Sequence, residues 1–156
     1  MLLNAKTLKI CRTERLSWDE YFMSIALLAS GRSPCQRLQV GSVIVKDNRI
    51  ISMGYNGFIA GAPHISIVKD DHEQAIVHSE VNAITDCAKR GTQIKEATIY
   101  VTHFPCINCF RTIAASNIIE IVYLNDYKND EIVWQLAEDA KIIIRQLKPE
   151  CLEKVN

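Results

Sequence analysis

The sequence predicts an α/β fold, a mixed five-stranded sheet between helices, and three observations carry that prediction. Apolar residues recur at helical spacing in four stretches, and at strand spacing or in short continuous runs in five others. Helical and strand stretches alternate along most of the chain, which favours parallel strands joined by right-handed crossovers. The first two strands instead follow one another directly through a tight turn, which adds an antiparallel pair and makes the sheet mixed.

The first helix is expected over residues 17–30. Trp18, Tyr21, Phe22, Ile25, Leu28 and Ala29 recur there at helical spacing, Ser17 can cap its start, and Gly31 can stop it. Residues 40–45 and 49–53 read as the strands of a hairpin turned at Asp47-Asn48. Residues 54–74, with Gly54, Gly57, Gly61, Pro63, His64 and His72, show no period and read as an irregular segment; loops of that length in small domains are usually functional or mobile. VHSEVNAITDCAKRG reads as a helix closing on Gly91, and ATIYVTH as a strand. PCINCFRTIAASN is helical, with Pro105 suited to its first turn and Asn117 to its end. IIEIVYL (strand), NDYKND (loop), EIVWQLAEDA (helix) and KIIIRQL (strand) complete the order.

With 156 residues, the chain is expected to form a single domain, 1–156, preceded by an N-terminal extension over 1–16. Acidic and basic residues balance at 18 each, so the chain lacks the positive field that an extended DNA or RNA partner needs; a small anion held by one or two arginines fits better. No apolar run approaches the roughly 20 residues that span a bilayer, and the N-terminus lacks the apolar core and cleavage pattern of a secretory signal. Six widely spaced cysteines do not suggest a disulfide framework, so a reducing, cytoplasmic location is expected.

Chemistry concentrates in two predicted helix starts. Cys106 and Cys109, at i and i+3 in a first turn, point the same way, and a helix N-terminus favours thiolate over thiol. Alone, a C-x-x-C pair is equally well redox-active or core. A histidine from a neighbouring helix start, His78, changes that balance, because three ligands leave a tetrahedral zinc with one open, catalytic position. Glu80, two residues along, points away from the ligand direction, yet can take a proton from metal-bound water and pass it to a substrate nitrogen. Cys87 is poorly placed to close the site as a fourth ligand. Cys11, Cys87 and Cys151 read as packing or surface residues; Cys35, His64 and His72 could share a second metal but read better as solvated loop residues.

His78-Ser79-Glu80 and Pro105-Cys106-Ile107-Asn108-Cys109 together form the H-x-E…P-C-x-x-C signature of zinc nucleobase deaminases. SWDEYFM, the RS of GRSPC, VGSVIV, GYNGF with AGAPH, HSEVNAI and FPCINC extend the likeness over about residues 17–147, and in this order the chain resembles deoxycytidylate deaminases. The resemblance implies the cytidine-deaminase-like three-layer fold. It also implies zinc-dependent hydrolysis of dCMP to dUMP and ammonia, supplying dUMP for dTMP synthesis, with Glu80 protonating N3 and then the departing amine.

Substrate contacts carry over by position. Asn56 matches the family asparagine that hydrogen-bonds the sugar; an Asx-type turn residue is the other reading. Arg32 and Ser33 match the pair near the 5′-phosphate, where a guanidinium gives a bidentate grip; a solvated arginine at a helix end is the alternative. Tyr127 corresponds to a tyrosine that closes over the nucleotide, and the backbone around His103 and Phe104 to the wall where the amine leaves. Ser79 stands where alanine is commoner, at a position that contacts the base through its N–H. The segment 61–74 lacks the additional cysteine and histidine of some relatives, so a second, structural zinc is not supported.

Many members of the family are homo-oligomers, with hexamers favoured, activated by dCTP and inhibited by dTTP. The loop Gly54, Tyr55, Asn56, Gly57 lies near their regulatory site, where Mg2+ can accompany the triphosphate. Three alternatives stay open at this point: preference for dCTP, action on free cytidine, tRNA adenosine or a pterin-like base, and a catalytically silent zinc or nucleotide-binding module. Glu80 argues against the last, since a silent site has no need of a carboxylate there.

Overall fold

The computed structural model describes residues 15–70 and 72–148. The readings made for Cys11, Cys151 and most of the 1–16 extension lie outside these residues. Helix α1 (Trp18–Ser30) follows Ser17, whose side chain accepts from Glu20 N while the Glu20 carboxylate accepts from Ser17 N, a reciprocal capping box. Strands β1 (Gly41–Lys46) and β2 (Arg49–Tyr55) form the expected hairpin. Asp47 and Asn48 both take positive φ, 51° and 55°, the left-handed pair that a two-residue primed turn requires.

Where an irregular segment was expected, the chain extends β2 through Tyr55 and then places four two-residue strands: β3 (Gly57–Phe58), β4 (Val68–Lys69), β5 (His72–Glu73) and β6 (Ile76–Val77). β3 pairs with β6 and β4 with β5, each antiparallel. Glu73 organises the tip, accepting from Ser66 Oγ, Ile67 N and Ala75 N.

The rest follows the expected order: α2 (Ser79–Arg90), β7 (Thr98–His103), α3 (Ile107–Ala115), β8 (Glu120–Asn125), α4 (Glu131–Ala140) and β9 (Ile143–Gln146). Gly91 closes α2 at φ 67°, and Asn117 (φ 58°) follows the end of α3. Gly31 closes α1 differently, in right-handed backbone at φ −64°. Pro105 lies one residue before the α3 N-cap, Cys106, and so outside the first turn in which it was expected.

The main sheet runs β2-β1-β7-β8-β9. β1 is antiparallel to both neighbours, while β7, β8 and β9 are mutually parallel. The sheet therefore holds two antiparallel pairs where the hairpin implied one, because β2 crosses over β1 through α2 to reach β7 in the same direction. Alternation along the strands divides the core. Val43, Val45, Tyr100, Val122 and Leu124 meet Phe22, Met23, Ala26 and Leu27 of α1 on one face. Ile44, Ile99, Val101, Ile121 and Tyr123 meet residues of α2, α3 and α4 on the other, giving three layers.

β1 can lie close under α1 because a Cβ at Gly41 would stand 2.0 Å from Ala26 O. Arg145 ties β9 to α1 and β8, reaching both carboxylate oxygens of Asp19 (2.6 and 2.9 Å) and Glu120 Oε1 (2.7 Å). That contact, with a further hydrogen bond from Tyr100, holds the Asp19 carboxyl below its usual range. Among the described residues no helix is long and apolar enough to cross a membrane.

Candidate metal centre and active site

The site is built where α2 and α3 begin, and β2 sets the position of α2. A Cβ at Gly54 would stand 2.2 Å from Ser79 O, so only glycine lets the strand approach the first turn of the helix this closely. Side chains then staple the two elements: Asn82 Nδ2 donates to Tyr55 O (2.8 Å), Ser52 Oγ lies 2.8 Å from Ala83 O, and Arg90 Nη2 donates to Ile51 O (2.7 Å). α3 is fixed through β7, since Phe104 N donates to Asn125 O and extends the β7–β8 ladder to the residue before Pro105. Asn125 Nδ2 donates in turn to Thr102 O at 2.9 Å.

His78 is the N-cap of α2 and Cys106 the N-cap of α3, both in extended backbone and neither making a side-chain capping bond. Cys109 sits one turn into α3. The ligand atoms of His78, Cys106 and Cys109 all lie within 4.8 Å of one another, with His78 Nδ1 3.2 Å from Cys109 Sγ and 3.6 Å from Cys106 Sγ. Among the described residues this is the group of three such side chains that could share an ion. One imidazole and two thiols are a zinc donor set, and three ligands leave the open position of a catalytic site. His78 is exposed, Cys106 half-buried and Cys109 buried, so the set opens to solvent on the His78 side.

The donors tune one another. Hydrogen bonds from Cys109 and then His78 hold the Cys106 thiol down to about 4, the thiolate that a metal takes up. The same hydrogen bond with Cys106, together with burial, pushes the Cys109 thiol up. Contact with Cys106 raises the His78 imidazole above its ordinary value.

Glu80 is 4% exposed and stands outside the ligand set, beside Cys109. Burial lifts its carboxyl above the usual carboxylate range, and Ser79 Oγ donates to Oε2 at 2.9 Å. A buried carboxyl with a raised pKa is suited to general acid/base work.

The other expected contacts are distributed around this centre. Asn56 is neither in a loop nor an Asx turn. Its Oδ1 accepts from Val40 N and its Nδ2 donates to Leu38 O, both at 2.8 Å, pinning the segment before β1 to the junction of β2 and β3. Gly54 and Tyr55 belong to β2, and Gly57 to β3, so the expected regulatory loop is the junction of two strands at Asn56. Arg32 and Ser33 form the turn after α1: Ser33 Oγ accepts from Cys35 N, and the exposed Arg32 guanidinium has no partner among the described residues.

Phe104 turns its ring into the core, edge-on to Tyr123 and tilted on Trp134, leaving backbone for the site. Tyr127 stands edge-on to His103, and its hydroxyl accepts from Arg37 Nη2 at 3.3 Å. The Arg37 and His103 side chains are the members of this wall that sequence reasoning passed over. The contact joins residues 90 positions apart and leaves no local signal.

A family model described as "Cytidine and deoxycytidylate deaminase zinc-binding region" matches residues 16–125. The ComE operon protein 2 of Bacillus subtilis is 42% identical over 139 residues, 86% of this chain and 74% of that protein. The deoxycytidylate deaminase of Mycobacterium phage D29 is 40% identical over 124 residues, 70% of this chain and 95% of that protein. The crystal structure of dCMP deaminase from the cyanophage S-TIM5 in complex with dCMP and dUMP is similar with a TM-score of 0.75 at 27% identity, over 82% of this chain and 95% of that one. With the zinc donor set and the buried glutamate already in place at two helix starts, this chain belongs to the cytidine and deoxycytidylate deaminase zinc-binding family.

Proposed function

We propose that this chain hydrolyses dCMP to dUMP and ammonia, yielding dUMP for dTMP synthesis. The observation that carries the reading is a buried Glu80 beside a His78–Cys106–Cys109 donor set, in a chain similar to a phage deoxycytidylate deaminase and to a structure holding dCMP and dUMP. Zinc held there supplies Lewis acidity and lowers the pKa of water to near neutrality. Glu80 accepts a proton from the attacking water and passes it to N3 of the cytosine as the C4–O bond forms; it then takes the remaining proton of that hydroxyl and hands it to the amine as the C4–N bond breaks, leaving the C4 carbonyl of dUMP and ammonia. Ser79, first residue of α2, offers a backbone N–H that the helix leaves unpaired, suited to a ring carbonyl. Beyond the N–H given to Asn125, the strand end at His103 and Phe104 presents carbonyls, acceptors that suit an amine.

The 5′-phosphate is assigned to Arg32 with Ser33, a free guanidinium and a hydroxyl in one turn, with Tyr127 closing over the nucleotide. Asn56 retains one N–H and one lone pair for the sugar after its two backbone bonds.

The reading extends to a single cytoplasmic deaminase domain that assembles as a homo-oligomer, a hexamer, with dCTP as activator and dTTP as inhibitor. Exposed Ile59, Ile65, Ile67 and Val68 on the segment between β3 and β5 support self-association. Gly54 to Gly57, with Mg2+ and a triphosphate, would then regulate through the strand junction rather than through a loop.

Zinc-loaded protein assayed with dCMP, dCTP, CMP and deoxycytidine, each with and without dCTP or dTTP, tests substrate and regulation together. Preference for dCMP, with release of ammonia, is expected; absence of turnover on dCMP overturns the reading. Sedimentation as a monomer, or rates indifferent to both effectors, removes the assembly and regulation.

A further inference from the structure

His103 closes β7 beside Asn125, the last residue of the parallel strand β8, three residues before Cys106. The carboxyl ends of parallel strands are where open α/β sheets place ligands. His103 is 6% exposed and stands at the end of a chain of hydrogen bonds. Gly41 N donates to Thr102 Oγ1 at 3.1 Å. Thr102 Oγ1 keeps its own proton and a second lone pair, and His103 Nδ1 lies 3.0 Å from it. With that proton given to Nδ1, the neutral ring carries its hydrogen on Nε2.

Among the described residues no partner takes up Nε2. Among the described residues Ser42 Oγ is the fully enclosed side-chain polar atom without a partner, so Nε2 is not sealed in the core. The ring faces Tyr127 edge-on, centroids 6.2 Å apart at 85°, and the Tyr127 hydroxyl takes its hydrogen bond from Arg37. Burial holds the imidazole down to about 4, so it stays uncharged through the physiological range.

We propose that His103 is a substrate-contact residue whose Nε2–H donates to an uncharged oxygen of the nucleotide, a sugar hydroxyl or the ring carbonyl, bound beneath Tyr127. The assignment rests on the dCMP reading. An uncharged donor suits such an oxygen because it adds no charge near the metal set, and the ligand gives a desolvated N–H the partner that the free protein lacks.

The test is a proton–nitrogen correlation spectrum of the imidazole in zinc-loaded wild-type protein, titrated with dUMP, together with the kinetics of two variants. Before dUMP, one proton is expected on Nε2 and none on Nδ1; saturation should move the Nε2–H signal and leave Nδ1 an acceptor. His103→Phe, without the donor, should raise KM for dCMP about tenfold with little change in kcat, and His103→Gln, which keeps an N–H at about the same reach, should recover most of that loss. Zinc content and thermal unfolding report whether each variant is folded, and the wild-type spectrum decides the matter if the Phe variant is not. An Nε2–H signal indifferent to dUMP, or equal impairment in Gln and Phe, overturns the assignment while wild-type turnover of dCMP leaves the function standing. A wild-type enzyme inactive on dCMP removes both.

Discussion

The four helices among the described residues begin in two ways. α1 and α4 start from Ser17 and Asp130, whose side chains accept from Glu20 N at 3.2 Å and Ile132 N at 2.9 Å. α2 and α3 start from His78 and Cys106 in nearly the same extended backbone, φ −68° with ψ 154° and φ −68° with ψ 164°, but with no capping bond. An absent cap costs about 1 kcal/mol. Both uncapped starts face the metal donors, where free N–H groups and the positive end of the helix dipole favour thiolate and an anionic or carbonyl oxygen. The contrast separates starts that only hold the fold from starts that also hold ligands.

Cys106→Ser should break the contrast most. Serine is a preferred cap, so the variant should lose zinc, and turnover with it, while the metal-free protein gains up to about 1 kcal/mol of stability. Metal analysis and thermal unfolding after chelation would read the two effects separately; a variant that keeps zinc and activity would remove Cys106 from the donor set.

Gly54→Ala should act next. Its new Cβ would press on the backbone of Ser79, costing about 1–3 kcal/mol and displacing His78 and Glu80, with activity falling about 10²-fold. Gly57→Ala, where the nearest atom lies 3.5 Å away, should leave unfolding almost unchanged, and equal destabilisation of the two would contradict the close approach at Gly54. Smallest should be Ser17→Ala and Asp130→Ala, each lowering stability by about 1 kcal/mol without altering zinc content or turnover. A loss of activity in either would mean that the capped starts also serve the site.

Much of this arrangement was legible in the sequence because it is local. Asp47-Asn48 announced its turn and Ser17 its cap, and Cys106 and Cys109 lie within one helical turn; the convergence of His78 on them, 28 and 31 positions away, was legible only through the H-x-E…P-C-x-x-C signature. What the chain hides is long-range. Nothing in the period of β1 says that it lies between β2 and β7, so the second antiparallel pair was missed. Strands of two residues, such as β3 and β6, have no period to read, and Gly54 looked like a loop glycine because its partner, Ser79 O, lies 25 positions along the chain. Asn56 pairs with Leu38 and Val40 as a strand edge would, a role that its residue type does not signal.

The central claim is that His78, Cys106 and Cys109 hold zinc while Glu80 moves the proton. Glu80→Gln tests it most directly, with bound zinc and dCMP turnover measured on the same sample. One zinc per chain with turnover lowered about 10²–10⁴-fold or more is the predicted result; undiminished turnover, or loss of the zinc together with Glu80, would contradict it.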